Sequence, residues 1–273
     1  MDIRSILVNV DLNPSDSMAL TYASGLAAAF DAELIGIAAD EPSLTFVGVD
    51  GVPAAVDFYA VERTEIERRL QSAEERFHAA LVPGTRSQWH AFVAGTVRSL
   101  IDEARLADVV VTGARTASTF GNPHHVDLGQ LVLGAGRPVI AVADAMPAYA
   151  CDKVVIAWKD TREARRAVAD ALPLLKRASD VVAITISEGD TGSEQAKLND
   201  LLSWLARHGV KARSELMTSS DGFVDVLESA ARAAEADLVV AGGYGHSRMR
   251  EWLFGGMTRN LIEATSLNRL LSN

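Results

Sequence analysis

The chain has 273 residues, of which 48% are hydrophobic and 23% charged, with a formal net charge of −10; that is enough apolar sequence for a buried core in each of two ordinary domains. The negative balance excludes a general nucleic-acid binder, which needs a basic surface to meet phosphates, and no apolar run reaches the roughly 18 residues needed to cross a bilayer. A single cysteine, Cys151, excludes an internal disulfide and a thiolate-rich metal cluster. The opening Met1-Asp2-Ile3-Arg4 leads directly into a strand-like stretch, so the expected location is cytoplasmic, with no membrane contact.

The first strand is expected over Ile6–Asp11 (ILVNVD), a short apolar run ending in a polar turn. Asn13-Pro14-Ser15-Asp16 supplies capping oxygens for a helix from about Ser17 to Phe30, and a second strand follows at Glu33–Ala38. From Glu41 to about Pro83 the sequence looks like an insertion. Its Gly- and Pro-punctuated start reads as a loop through Tyr59, and Val61–Leu81 reads as an amphipathic helix with Ile66, Leu70, Ala73 and Phe77 on a core-facing stripe. Ala107–Gly113 (ADVVVTG) and Pro138–Val142 give two further strands. After a linker at Met146–Asp152 the order starts again. Val154–Lys159 (VVIAWK) is a strand, Asp160-Thr161 caps a helix from about Arg162 to Lys176, Asp180–Ile186 is a strand, and Ala236–Gly242 (ADLVVAG) matches Ala107–Gly113. Strands alternating with helices imply βαβ units and parallel sheets, and two copies in one order imply two domains, 1–146 and 152–273. The short linker favours packed neighbours. Residues 1–150 carry 10 Arg, no Lys and 19 acidic residues, leaving a charge of only −1 on the remainder; an anionic ligand belongs more readily in the second half.

Chemistry concentrates after Ala241. Gly242-Gly243-Tyr244-Gly245 leaves the strand, and Gly255-Gly256-Met257-Thr258 precedes an expected helix at Arg259–Ala264. Glycines let backbone amides turn and approach a ligand. Free amides at a helix start, together with the helix dipole, favour an anion, and the Thr258 hydroxyl adds a donor. The competing motifs fail on residues: there is no GxxxxGK[ST] loop, and Gly242 to Gly245 has the wrong spacing for GxGxxG. His124, His125 and Asp127 lack a fourth partner for a metal, and His246-Ser247 has no Asp in a triad order. No metal ligand or catalytic residue is therefore assigned. Arg248, Arg250 and Arg259 read equally well as phosphate-steering residues or as a solvated helix face.

Glycine, two residues, glycine, nine residues, glycine is the spacing of Gly242, Gly245 and Gly255, and with it the chain resembles a tandem member of the universal stress protein family. The resemblance covers nearly the whole chain. It implies two α/β domains, each a doubly wound, mostly parallel five-stranded sheet with helices on both faces, paired through their last strands, Pro138–Val142 and Asn268–Leu271. It further implies that Gly242, Gly245, Gly255, Gly256 and Thr258 hold the phosphates of ATP, ADP or AMP, with or without Mg²⁺, and that Ala241 and Met257 contribute backbone contacts. Ile186 would meet the adenine, and Ala157 to Lys159 would border the ribose and base. Two positions depart from the family pattern: Gly256 stands where Ser or Thr is usual, and Lys159 stands where Asp is common, able to attract a phosphate or pair with Asp160. The first domain lacks the spacing, since Ala114-Arg115-Thr116-Ala117 follows Gly113. The resemblance implies a stress-response protein that works through conformation or partners, with a homodimer among the assemblies open to it and at most slow hydrolysis. The alternative is an interaction protein whose relaxed site takes no nucleotide.

Overall fold

The computed structural model describes residues 2–12, 18–42, 52–114, 126–143, 149–187, 191–218, 223–243 and 267–273. The first half runs β1 (Ser5–Asn9), α1 (Met18–Phe30), β2 (Glu33–Asp40), α2 (Val52–Ala80), β3 (Ser87–Val93), α3 (Thr96–Glu103), β4 (Val109–Gly113), α4 (Leu128–Gly134) and β5 (Val139–Val142). The second runs β6 (Lys153–Ala157), α5 (Arg162–Leu175), β7 (Asp180–Ser187), α6 (Thr191–Arg207), β8 (Arg213–Thr218), α7 (Phe223–Ala233), β9 (Leu238–Gly242) and β10 (Arg269–Ser272).

These strands form one ten-stranded sheet in the order β3-β2-β1-β4-β5-β10-β9-β6-β7-β8. Each half is parallel, and the halves meet where β5 and β10 run antiparallel, with Ile140 opposite Leu270. The two strand orders mirror each other about that seam. The crossovers between parallel strands carry helices that divide between two core clusters. Side chains of α1, α2, α5 and α6 belong to one core cluster. Those of α3, α4 and α7 belong to the other.

The repeated Ala-Asp-aliphatic sequence has a structural counterpart at the amino end of the strands. Asp108 accepts hydrogen bonds from the backbone N–H groups of Arg4 and Ser5 at 2.8 and 3.0 Å. Asp237 does the same for Asp152 and Lys153 at 2.9 Å each. In both halves one carboxylate ties the start of the first strand to the turn before its neighbour. Cys151, two residues before β6, is buried, and burial pushes its thiol up to about 12, with Asp237 and Asp152 adding to the shift.

Several boundaries differ from expectation. The opening strands end at Asn9 and Ala157, two residues before Asp11 and Lys159, so Lys159 lies in the turn that Thr161 caps with its side chain accepting from the Ala164 amide at 3.2 Å. α2 begins at Val52, inside the segment read as a loop. Pro53 does not prevent this, because the first turn of a helix needs no N–H from it. The stripe Ile66, Leu70, Ala73 and Phe77 is buried as core.

Candidate functional site at the carboxyl ends of β6, β7 and β9

Side chains alternate across a sheet, so residues two apart share a face. Ala157 ends β6, Ala241 stands one residue before the end of β9, and the two are register partners. Both belong to the cluster covered by α7, and Ile186, near the end of β7, packs against that same cluster. Three of the residues named from the sequence therefore share one face, at one end of the second half. The floor they make is small and apolar.

The matching positions in the first half are Asn9 and Thr112, where the β1–β4 register continues past Val8 and Val111. Both are buried, and the Asn9 amide donates to the Thr112 hydroxyl at 3.4 Å. Two polar side chains stand where the second half has two methyl groups. Beside them, Asn9, Val10, Asp11, Leu12, Ala39 and Thr96 enclose only about 10 Å³. The Thr96 hydroxyl is itself committed to the Ala39 carbonyl at 2.7 Å.

Gly242 faces the other way. A Cβ there would stand 2.5 Å from the Ala164 nitrogen and 2.7 Å from the Glu163 carbonyl carbon, so its lack of a side chain admits the first turn of α5. This packing role was not visible in the spacing, because the approaching helix comes from a distant stretch of chain. Gly243 is similarly crowded at the seam, with a Cβ position 2.9 Å from Val132 of α4, while its N–H donates to the Ser272 carbonyl at 2.8 Å. Gly245, Gly255, Gly256, Met257 and Thr258 lie outside the described residues, as do His124, His125, His246, Ser247, Arg248, Arg250 and Arg259.

Lys159 is exposed. Its neighbour Asp160 is paired instead with Arg165 of α5 at 2.7 Å, since a helical residue one turn past the cap reaches back over the turn more directly than an adjacent side chain does. The hydrogen bond from Arg165 holds the Asp160 carboxyl below its usual range, and the charges of Arg165 and Lys197 add to this. The sequence reading had not singled out Thr185, and had placed Trp158 only within the segment bordering the ribose and base. Thr185 donates through its hydroxyl to the Trp158 carbonyl at 2.9 Å, and Trp158 is buried on the α5 face.

No protein-family model matches the sequence, and no curated protein does. Solved structures do match. A universal stress protein from Archaeoglobus fulgidus DSM 4304 matches over 98% of this chain and 98% of its own, at 14% identity and a TM-score of 0.72. A provisionally assigned universal stress protein from Pseudomonas aeruginosa UCBPP-PA14 matches over 99% of this chain and 93% of its own, at 17% identity and a TM-score of 0.58. A shorter universal stress protein, solved in complex with cAMP, covers 53% of this chain at 21% identity and a TM-score of 0.36. With its paired, mirrored parallel halves, the chain has the universal stress protein fold along its whole length.

Proposed function

We propose that this protein binds an adenine nucleotide, ATP or its diphosphate or monophosphate, at the carboxyl ends of β6, β7 and β9, and that the first half serves as a partner without a site of its own. The observation that carries the reading is the contrast between Ala157 beside Ala241 and Asn9 bonded to Thr112. A planar base needs a flat apolar floor, and among the described residues the second half offers one where the first half has a polar pair. Ile186 would flank the base. The fourteen-residue α5 directs its amino terminus, the positive end of its dipole, at the strand end where the glycine-bearing segment departs. Gly245, Gly255, Gly256 and Thr258 would hold the phosphates, and Lys159, in the turn after β6, would add a cation where a carboxylate would repel them.

The activity we assign is binding, read out through conformation or partners in a stress response, with Mg²⁺ as an accessory to the phosphates and the cytoplasm as the place of action. The domains would divide at 1–146 and 152–273. Thermal unfolding checks the reading directly. A ligand at one hundred times its Kd stabilises the native state by about 2.7 kcal/mol, so saturating ATP, ADP or AMP raises the unfolding midpoint by several degrees. No shift with any of the three, together with no nucleotide in the extract of denatured protein by mass spectrometry, overturns the proposal.

A further inference from the structure

The other face of the sheet carries a cavity of about 340 Å³ between α5 and α6, within the range of small-molecule sites. Trp158, Val168, Leu201 and Trp204 supply its apolar lining, and each belongs to the core cluster of that face or packs against it. On α6, Lys197, Asp200, Leu201 and Trp204 succeed one another at intervals of three, one and three residues, so they share one side of the helix. Arg165 and Val168 of α5 line the cavity from across, and Asp160 from the turn before α5. Trp204 is half-buried and backed by His208, with ring centroids 4.0 Å apart at 32°. His208 in turn donates from Nδ1 to the Trp204 carbonyl at 2.9 Å, so the indole stands as a supported wall.

The four charged groups around the cavity are unequally engaged. Arg165 donates from Nε to Asp160 at 2.7 Å, and the Lys197 ammonium pairs with Glu194 at 2.9 Å. Asp200 is exposed and makes no hydrogen bond or ion pair among the described residues. Each cation thus has a carboxylate beside it, and one carboxylate is left over, a single helical turn from the Trp204 indole. An anionic ligand would have to compete with Asp160 and Glu194 for the two cations. An ammonium meets no such competition, because the Asp200 charge attracts it and so does the electron-rich face of an aromatic ring.

We propose that this cavity binds a small aromatic ammonium ion, with its ring among Val168, Leu201 and Trp204 and its charge at Asp200. The apolar lining takes the ring, and the carboxylate without a partner selects the cation among rings of the same size. The site lies on the face opposite the adenine floor and does not depend on a nucleotide being bound there.

Phenethylammonium, 2-phenylethanol and 3-phenylpropionate make a matched set of probes, each a phenyl ring on a short chain that ends in a cation, a neutral hydroxyl or an anion. The protein's four tryptophans give separate indole N–H resonances in ¹H–¹⁵N spectra, and Trp204→Phe identifies the relevant one. Phenethylammonium is expected to move the Trp204 resonance saturably. The alcohol should bind about five-fold more weakly, the change that an exposed ion pair carries at its upper end, and the propionate more weakly still. Asp200→Asn should bring phenethylammonium down to the affinity of the alcohol while leaving the alcohol unchanged. Because Asp200 is exposed, this variant should keep the unfolding midpoint of the original protein, and the three-probe comparison needs no variant at all. A Trp204 resonance that stays still at millimolar phenethylammonium, an alcohol or propionate that binds as tightly as the ammonium, or full phenethylammonium affinity in Asp200→Asn would each overturn the proposal.

Discussion

At Gly242 a methyl group would meet the backbone of α5 at 2.5 Å, closer than any Cβ tolerates, and the atoms in its way are main chain and cannot rotate aside. Gly242→Ala should therefore force the first turn of α5 outward and destabilise the fold by about 1–3 kcal/mol, seen as a lower urea midpoint with an unchanged slope. An unaltered midpoint would contradict the close approach. The residue was legible in the sequence as a glycine in a telling pattern, but its neighbour was not. Spacing along the chain fixes which residues are glycine, whereas the helix that needs this one arrives by tertiary folding. Ala157 and Ala241 were legible in the sequence as separate site residues, one bordering the ribose and base and one giving a backbone contact. That they stand side by side follows from register, which a single strand does not carry.

At the scale of elements, the stripe on α2 makes a separate test. Phe77 is fully buried, and its ring lies within 2.6 Å of where a Cβ on Gly36 would be and 5.4 Å from the Trp89 ring. Phe77→Ala should cost about 3–5 kcal/mol, measured by chemical denaturation; a loss below about 1 kcal/mol would mean α2 is not part of the core. Helical spacing made this face legible, because four apolar residues at intervals of three and four have one shared side. The first turns of α2 were misread, since Gly51 and Pro53 punctuate loops and helix starts alike. The β3 and β8 strands were not singled out either. They are the sheet edges, half-exposed, and residues such as Arg213, Ser214 and Glu215 leave no clean apolar run to recognise.

For the whole molecule, the repeat in the sequence becomes a mirrored sheet whose halves share one seam at β5 and β10. Asn268 helps close that seam by accepting from the Ala143 N–H at 2.9 Å and donating to the Asp237 carbonyl at 3.1 Å. Duplicated architecture with unequal strand ends is the central feature. One half carries a polar bridge where the other carries two methyl groups, and this difference was already present in the sequence as Asn9 against Ala157 and Thr112 against Ala241, hidden until the sheet paired them. Transplanting the bridge tests the account at its centre, because Ala157→Asn with Ala241→Thr installs a pair that the first half already accommodates. Isothermal titration calorimetry with ATP should show one site per chain in the original protein and at least a ten-fold weaker site in the double variant, with both unfolding cooperatively. Equal affinity in the two proteins, or no binding heat in the original, would contradict it.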